Sequence, residues 1–400
     1  MALPDSSVTL TVGAASLVLD TWGEYTVTHN MLQAGTPITF NCWHSESRGS
    51  TWQVLTNDVK LGDEMLLTID GLRQLHGMVE TREIVVPESG GAQFVLGGRD
   101  YAGSAMTWDC DPTQGYKGLT LEDALTRLFE PLDIAVTIAS SSAAAAHVGT
   151  LCQPRRNTWA RTHRTSKVDL THPSPGEKVW ALADKIVRKA GYLIWTAPGT
   201  SANSVALIVD SPNNSGTSQY EFKRELASDG SVTQDSNILS SRYPVQIRDV
   251  PTHVTVYADA PRGDAQATRI KRTTLNGYLL SDSVTRGLVR VDLHPQPLHV
   301  VSPRARTLNA AHSEADRYIA ESMAKFRIYH CKVQGHYQMI YGERVPYALN
   351  TIAHVRDDIS GVVGDWLITG VEFHGSRESG QVTNLTMVPR GALVILPRGE

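Results

Sequence analysis

Residues 62–80, GDEMLLTIDGLRQLHGMVE, decide the fold class. An apolar strand, MLLTI, runs into Asp70-Gly71, and a second β-rich run begins near Leu75. Asp-Gly between two such runs is the short-range signature of a tight hairpin. On either side, from Val8 to Phe94, short β-rich runs alternate with turn signals: VTLTVG, SLVLDTW, YTVTHN and TPITFNCW before it, LHGMVETREIVV and AQFVLGG around and after it. Strands this short at this spacing predict an antiparallel barrel or sandwich.

Beyond Phe94 the period changes. Leu121, Ala124, Leu125, Leu128 and Phe129 recur at helical spacing behind Thr120 and Asp123, which predicts a short amphipathic helix with a capping arrangement, stopped at Pro131. A strand-like DIAVTI follows, and then 141–174 carries no periodic segment and reads as a protruding or partner-ordered loop. Ser174-Pro175-Gly176-Glu177 reads as a capping box opening a second helix through Val179, Ala183, Ile186 and Val187, with Gly191 as its C-cap. The pair YLIWTAPG and SVALIVD then reads as a hairpin, so this region is an α+β module rather than a parallel sheet.

Residues 211–219 read as a linker, after which β-rich runs resume with PTHVTVYAD, GYLLSDS and LVRVDLH. A third helix is expected at about 306–325, and YALNTIAHV, DWLITGVEFHG and QVTNLTMVP return the chain to strands, with Glu378 to Gly380 as the last turn. One internal echo stands out. Gly62-Asp63 leads into a strand and then Gly77-Met78-Val79-Glu80, while Gly364-Asp365 leads into a strand and then Gly370-Val371-Glu372. Two related barrels at opposite ends of one chain would leave such a trace.

The composition of the 400 residues, 41% hydrophobic and 20% charged, excludes whole-chain disorder and suffices for two to four domains. With 37 basic and 41 acidic residues the formal charge is −4, which gives no bulk attraction to nucleic acid or anionic membrane. The longest apolar runs, 205–209 and 392–397, fall far short of a bilayer span. The opening MALPDSSVTL has neither a basic n-region nor an apolar h-region, so folding in the cytoplasm is expected. Cys42, Cys110, Cys152 and Cys331 form no CxxC pair and read as reduced, buried thiols.

No HExxH, GxSxG, Walker phosphate loop or GxGxxG turn is present. His330-Cys331 with His336 fits no strong zinc spacing, and Asp109-Cys110-Asp111 reads as a strand-ending turn whose carboxylates need not converge. Neither a metal nor a cofactor is called for, and catalytic residues are not assigned. One stretch inside 141–174 invites a contact role: Arg155, Arg156, Arg161, Arg164 and Lys167, with Trp159 and His163 between them. Basic residues with aromatic interleaving can touch phosphate, and the same loop can equally be solvated or paired with acidic groups on a neighbouring subunit.

Several segments together resemble the baseplate hub proteins of contractile phage tails, the Mu-like hub and late control protein D group. GDEMLLTIDGLRQLHGMVE is similar to that family's first hairpin and GGRDYAGSAMTWDCDP to its GRD strand and following turn. LTLEDALTRLFEPLDIAV and PGEKVWALADKIVRKAGYLIW resemble its helix–strand modules, and DWLITGVEFHGSRESGQVTNLTMVPRGAL its closing hairpin. Residues 141–174 and 255–305 match no pattern of the family.

The resemblance implies a mostly β, α+β chain with two related antiparallel β-barrels and intervening α+β modules: 1–110 as the first barrel, 111–215 as an α+β module, 216–260 with 346–400 as the second barrel, and 261–345 as an α+β insertion. It implies a non-enzymatic homotrimer in the virion's tail baseplate, whose ring of six similar barrels adapts a six-fold tail tube, or tube-initiator protein, to a three-fold central spike. Baseplate wedge proteins would be further partners, DNA would only pass through the lumen, and no membrane insertion is implied. Two other classes stay open on residues alone: a tail-associated cell-wall hydrolase, and a nucleic-acid-binding module using 155–167.

Overall fold

The computed structural model describes residues 6–13, 17–19, 22–43, 52, 56–86, 88, 91–116, 119–132, 134–138, 173–189, 192–198, 205–245, 251, 253–258, 269–272, 297–302, 315, 318, 322, 325–377 and 380–393. The N-terminal runs become β1 (Val8–Val12), β2 (Leu17–Leu19), β3 (Glu24–Asn30), β4 (Pro37–Trp43), β5 (Glu64–Ile69), β6 (Leu72–Val85) and β7 (Gln93–Asp100). They pair antiparallel in the order β2-β1-β5-β6-β7-β4-β3. Alternation decides which face is buried: Val8, Leu10 and Val12 of β1, and Tyr25 and Val27 of β3, point into one apolar core. Asp70 (φ 50) and Gly71 (φ 75) are both left-handed between the paired Ile69 and Leu72, which is the two-residue turn that Asp-Gly favours.

After β7 a 3₁₀ turn over Tyr101–Met106 leads to α1 (Leu121–Phe129), whose first turn is capped by the Thr120 hydroxyl accepting from the Asp123 N–H at 3.0 Å. β8 (Ala135–Ile138), α2 (Val179–Lys189), β9 (Leu193–Pro198) and β10 (Val205–Asp210) complete an α+β module. Its core joins Leu121, Leu125 and Phe129 of α1 to Leu182, Ile186 and Val187 of α2 and to Leu207 and Val209 of β10. Two expectations change here. β8 pairs parallel to β10 while β9 pairs antiparallel to it, so the sheet is mixed. Ser174–Glu177 is also a turn ahead of the helix rather than its first turn, because Gly176 (φ 78) is left-handed and cannot continue a right-handed helix. Glu177 still reaches back, its carboxylate accepting from the Ser174 N–H at 2.9 Å. Gly191 lies outside the described residues.

The remaining strands are β11 (Tyr220–Arg224), β12 (Ile238–Arg242), β13 (His253–Ala258), β14 (Arg269–Arg272), β15 (Pro297–Ser302), β16 (Tyr329–Gln334), β17 (Tyr337–Ile340), β18 (Glu343–Pro346), β19 (Ile352–Asp357), β20 (Val362–Ser376) and β21 (Gly380–Pro389). β12-β16-β21-β20, with β19 on β20 and β11 parallel to β19, form a second barrel-like half. One strand welds the halves: Gly370–Ser376 of β20 pairs antiparallel with Asn30–Glu24 of β3, so a single 13-stranded sheet runs through both. Trp366 to Val371 of β20 are buried without alternation because Trp366 and Ile368 face the shared core while Leu367 packs with Leu193 and Trp195 of the α+β module.

The two halves repeat one device, a three-strand meander with a long, bulged middle strand: β5-β6-β7 with its bulge at Val79/Thr81, and β19-β20-β21 with its bulge at Ile368/Gly370. The echo needs a correction on this point. The Gly-x-Val-Glu and Gly-Val-Glu segments both lie at the bulge of a middle strand, but Gly62-Asp63 precedes its meander whereas Gly364-Asp365 lies inside β20. The strand expected from Tyr347 starts only at Ile352, because Asn350 turns left-handed (φ 58). β13, from the run PTHVTVYAD, pairs with β14 and β15 in a separate sheet, while β16, from within 261–345, joins the large one. GYLLSDS, LVRVDLH and most of 306–325 lie outside the described residues, although Ala315, Tyr318 and Ser322 are helical.

Candidate assembly surface

The GRD strand and the Gly-x-Val-Glu strand meet each other. Gly77 stands opposite Asp100, Met78 opposite Arg99, and Val79 opposite Gly98. A Cβ on Gly77 would lie 2.0 Å from the Arg99 carbonyl oxygen, and one on Gly98 2.1 Å from that of Met78, so the close approach of the two backbones at the bulge admits only glycine. Arg99 then forks onto Glu80, its Nε and Nη2 each donating at 2.8 Å, which fixes the outer face of the crossing. Asp100 turns inward. Its carboxylate accepts from the N–H groups of Gly103 and Thr36, both at 2.9 Å, which sets the 3₁₀ turn leading into the α+β module.

That carboxylate belongs to a buried polar junction between the first half and the module. The hydroxyls of Thr36 (β3–β4 turn) and Thr196 (β9) are 3.1 Å apart, and Thr36 Oγ1 lies 3.4 Å from His29 Nδ1. His29 Nε2 is buried with no hydrogen-bond partner among the described residues. Burial pushes Asp100 up to about 6, against the hydrogen bonds from Thr196, Gly103 and Thr36, and pushes His29 down to about 4. The two act in opposite senses. Asp100 contributes stability that is full below its unfolded value near 3.8 and is lost as pH rises through about 6; His29 contributes stability that is full above 6.5 and is lost as pH falls through about 4. Each shift corresponds to about 3 kcal/mol, and His336, likewise held down at about 4 by burial, acts in the same sense as His29, so on these three groups stability should rise with pH between 4.5 and 6. Asp100→Asn should steepen that rise, read by urea denaturation at both ends of the interval; a slope equal to that of the native chain would show that Asp100 titrates normally.

The weld between halves has its own polar seam. Tyr25 Oη sits 2.5 Å from His336 Nε2, and His336 Nδ1 lies 3.0 Å from Thr383 Oγ1. Gln381 grips the backbone of Ser6 on both sides, accepting from its N–H at 2.5 Å and donating to its carbonyl at 2.6 Å. His336 is therefore a core hydrogen-bonding residue, held down at about 4 chiefly by burial. In the second half, Asp357 has a fully buried side chain gripped by Arg224, Ser241, Ser360 and Tyr329.

Outward, the large sheet ends on β2 and β12, whose far edges pair with no strand among the described residues. Each half also shows apolar side chains to solvent: Leu61 and Ile84 beside β6, and Leu226, Val232 and Ile359 around the β11 and β19 ends. Leu226 and Val232 form a bridge, and the Leu226 N–H donates to Asp358 next to Ile359, so the second group is one patch. Patches and open edges of this kind are what an assembling subunit covers with neighbours.

Arg155, Arg156, Trp159, Arg161, Arg164 and Lys167 lie outside the described residues. Asp109 and Asp111 do not converge: Asp109 accepts from Lys178 Nζ at 2.6 Å and Asp111 from the Thr113 N–H at 2.8 Å. Among the described residues no three His, Cys, Asp or Glu side chains gather to hold a metal ion, and no helix is long and apolar enough to cross a membrane. Cys42, Cys110 and Cys331 are free and buried. Of the tryptophans, Trp52 packs on Phe94, and Trp108 is half exposed. The Asp357 cluster gave no sign in the sequence, since its members are spread from Arg224 to Ser360.

No protein-family model and no curated protein matches this chain. Among solved structures, a tail protein from Neisseria meningitidis MC58 superimposes with a TM-score of 0.72 at 19% identity, covering 99% of this chain and 99% of that one. The 43 kDa tail protein of prophage MuSo2 from Shewanella oneidensis follows at 0.68 and 16%, covering 97% of this chain and 99% of that one. A type VI secretion component of E. coli, itself structurally similar to bacteriophage T4 tail proteins, matches at 0.50 and 10%, over 97% of this chain and 79% of that one. The chain thus shares its fold, over its full length, with phage tail proteins.

Proposed function

We propose that this chain is a structural, non-enzymatic baseplate hub of a contractile phage-type tail. Three copies form a ring that joins a six-fold tube or tube-initiator protein to a three-fold central spike, with wedge proteins outside and DNA passing through the lumen of the virion's tail. The observation that carries this reading is the repeated meander. Two similar bulged sheets in one chain, welded through β3 and β20, let three chains present six similar lobes on one side while keeping three-fold contacts on the other. The match to phage tail proteins over nearly the whole of both chains supports it.

The natural partition places the first barrel within 1–110, the α+β module in 111–215, and the second barrel in the β11–β12 and β16–β21 segments around an insertion holding β13–β15. Arg155, Arg156, Trp159, Arg161, Arg164 and Lys167 are assigned to a partner-contacting loop. Their joint replacement by alanine should weaken capture of tube or spike by roughly tenfold or more while ring formation persists; unchanged capture removes the loop from the interface.

Electron microscopy of purified particles with solution mass on the same sample tests the whole reading. A three-fold ring with six similar lobes is the expected result. A chain that stays monomeric even when mixed with the spike and tube proteins overturns it.

A further inference from the structure

Three non-glycine residues among those described adopt a left-handed backbone: Asp70, Asn350 and Tyr341. Asp and Asn tolerate that region, whereas for a bulky aromatic it is a genuine outlier. Tyr341 (φ 51) and Gly342 (φ 87) form the two-residue turn between the paired Ile340 and Glu343, the same turn that Asp70-Gly71 makes with favoured residues. The tyrosine is fully exposed, and Met339 beside it is half exposed. A strained position at which the favoured residues are replaced by a large solvent-facing ring points to a role for the ring outside the chain's own core.

The hairpin is built to hold that ring out. Gln338 clamps β17 to β11, accepting from the Glu221 N–H at 3.0 Å and donating to the Glu221 carbonyl at 2.9 Å. Arg344 of β18 stacks over Tyr337 and reaches Asp70 of the first half at 3.3 Å. The base is thus tied to both halves and Tyr341 at the tip is exposed, so little ordering entropy remains to be lost on docking.

The same molecule carries an apolar recess. A recess of about 360 Å³, where the two halves and the α+β module meet, is lined by Leu72, Trp195, Ile208, Tyr347 and Leu349, with Arg73 at its rim. Pro346, the last residue of the hairpin, borders it too. Four residues of strand separate tip from base, about 13 Å at strand rise, so Tyr341 is carried away from its own recess. Glu343, exposed next to the tip, complements the charge of Arg73.

We infer that Tyr341 at the β17–β18 tip inserts into the recess of a second copy of this chain, Glu343 facing its Arg73, as a head-to-tail contact that closes the ring. The contact rests on the ring reading above, and it assigns the subunit interface to one residue and one recess. A heterologous contact of this kind closes when the rotation it imposes is an integer fraction of a turn.

The test is made on the full chain. Tyr341→Asn suits the turn better than tyrosine, so the thermal midpoint measured at a concentration where the chain is dissociated should not fall, while association should weaken at least about 30-fold, the range of a central aromatic anchor. In a Cys152→Ser background, Tyr341→Cys with Gln74→Cys at the recess should yield covalent dimers and trimers on mild oxidation, and neither single variant should. A trimer that survives Tyr341→Asn at full affinity and forms no such crosslink overturns this contact and leaves the hub reading standing. A crosslink from position 341 to a different tail protein in assembled particles also overturns it. A chain that is monomeric under every condition overturns both.

Discussion

Asp357→Ala should destabilise the second β half by about 3–5 kcal/mol, the range found when one partner of a buried ion pair is removed. Arg224 and Asp357 stand directly opposite each other on the parallel β11–β19 pair, and the guanidinium forks onto the carboxylate with Nε to Oδ1 at 2.9 Å and Nη2 to Oδ2 at 2.7 Å. The hydroxyls of Ser241, Ser360 and Tyr329 each donate to Oδ2 at 2.7 Å. Burial by itself would favour the neutral acid, but these donors win and hold Asp357 well below the usual carboxylate range. Its pKa being depressed, the stability it supplies is present above the unfolded value near 3.8 and is lost as pH falls through the folded value.

Alanine leaves the Arg224 charge, almost out of solvent, without its counter-ion, and three hydroxyls without their acceptor. Urea denaturation of the variant should show the transition moved to lower urea by that amount. Arg224→Met with Asp357→Leu should recover the part of the loss that comes from the stranded charge but not the part that comes from the Ser241, Ser360 and Tyr329 hydroxyls, which still lack their acceptor. A single variant that loses less than about 1 kcal/mol would show the network to be idle.

Gly98→Ala is the second large effect, at the upper end of the roughly 1–3 kcal/mol that overpacking costs. The new methyl would meet the Met78 carbonyl oxygen at 2.1 Å and Met65 Cε at 2.3 Å. Methionine can move. The carbonyl cannot, because Val79 pairs with Gly98 and Gly77 with Asp100 on either side of Met78. The strands must part, and with them the Arg99–Glu80 fork and the Asp100 cap that carry the chain into the α+β module.

Gly97→Ala is the internal control: its methyl meets only the Thr81 hydroxyl within 3 Å, and a side chain can rotate away. The expected order of thermal midpoints is native, then Gly97→Ala, then Gly98→Ala well below. Equal losses would mean that backbone proximity is not the reason for glycine here.

Much of the fold was legible because its signals are local. Period-2 alternation marked β1 and β3 to β7, Asp70-Gly71 marked their central hairpin, and Thr120 with Asp123 marked the start of α1. Ser174–Glu177 misled because a type II turn and a capping box share the same residue types, and only the sign of φ at Gly176 separates them. The β17–β18 hairpin gave no turn signal, since Tyr-Gly is not a pair that normally makes this turn. Of the candidate site, the glycines and the GRD residues could be read as motifs, but their meeting across β6 and β7 could not.

The sequence by itself determined which segments are strands or helices and which face of each seeks the core, because side-chain period and turn chemistry act within a few residues. Only the tertiary structure decided the partners: β3 against β20, Arg224 against Asp357, Gln381 on Ser6, and a fully exposed tyrosine at a strained hairpin tip. The physical reason is that every strand edge offers the same backbone N–H and C=O groups whatever its sequence. Choice among distant edges is made by the shared core and a few buried polar pairs, and these exist only once the chain has closed.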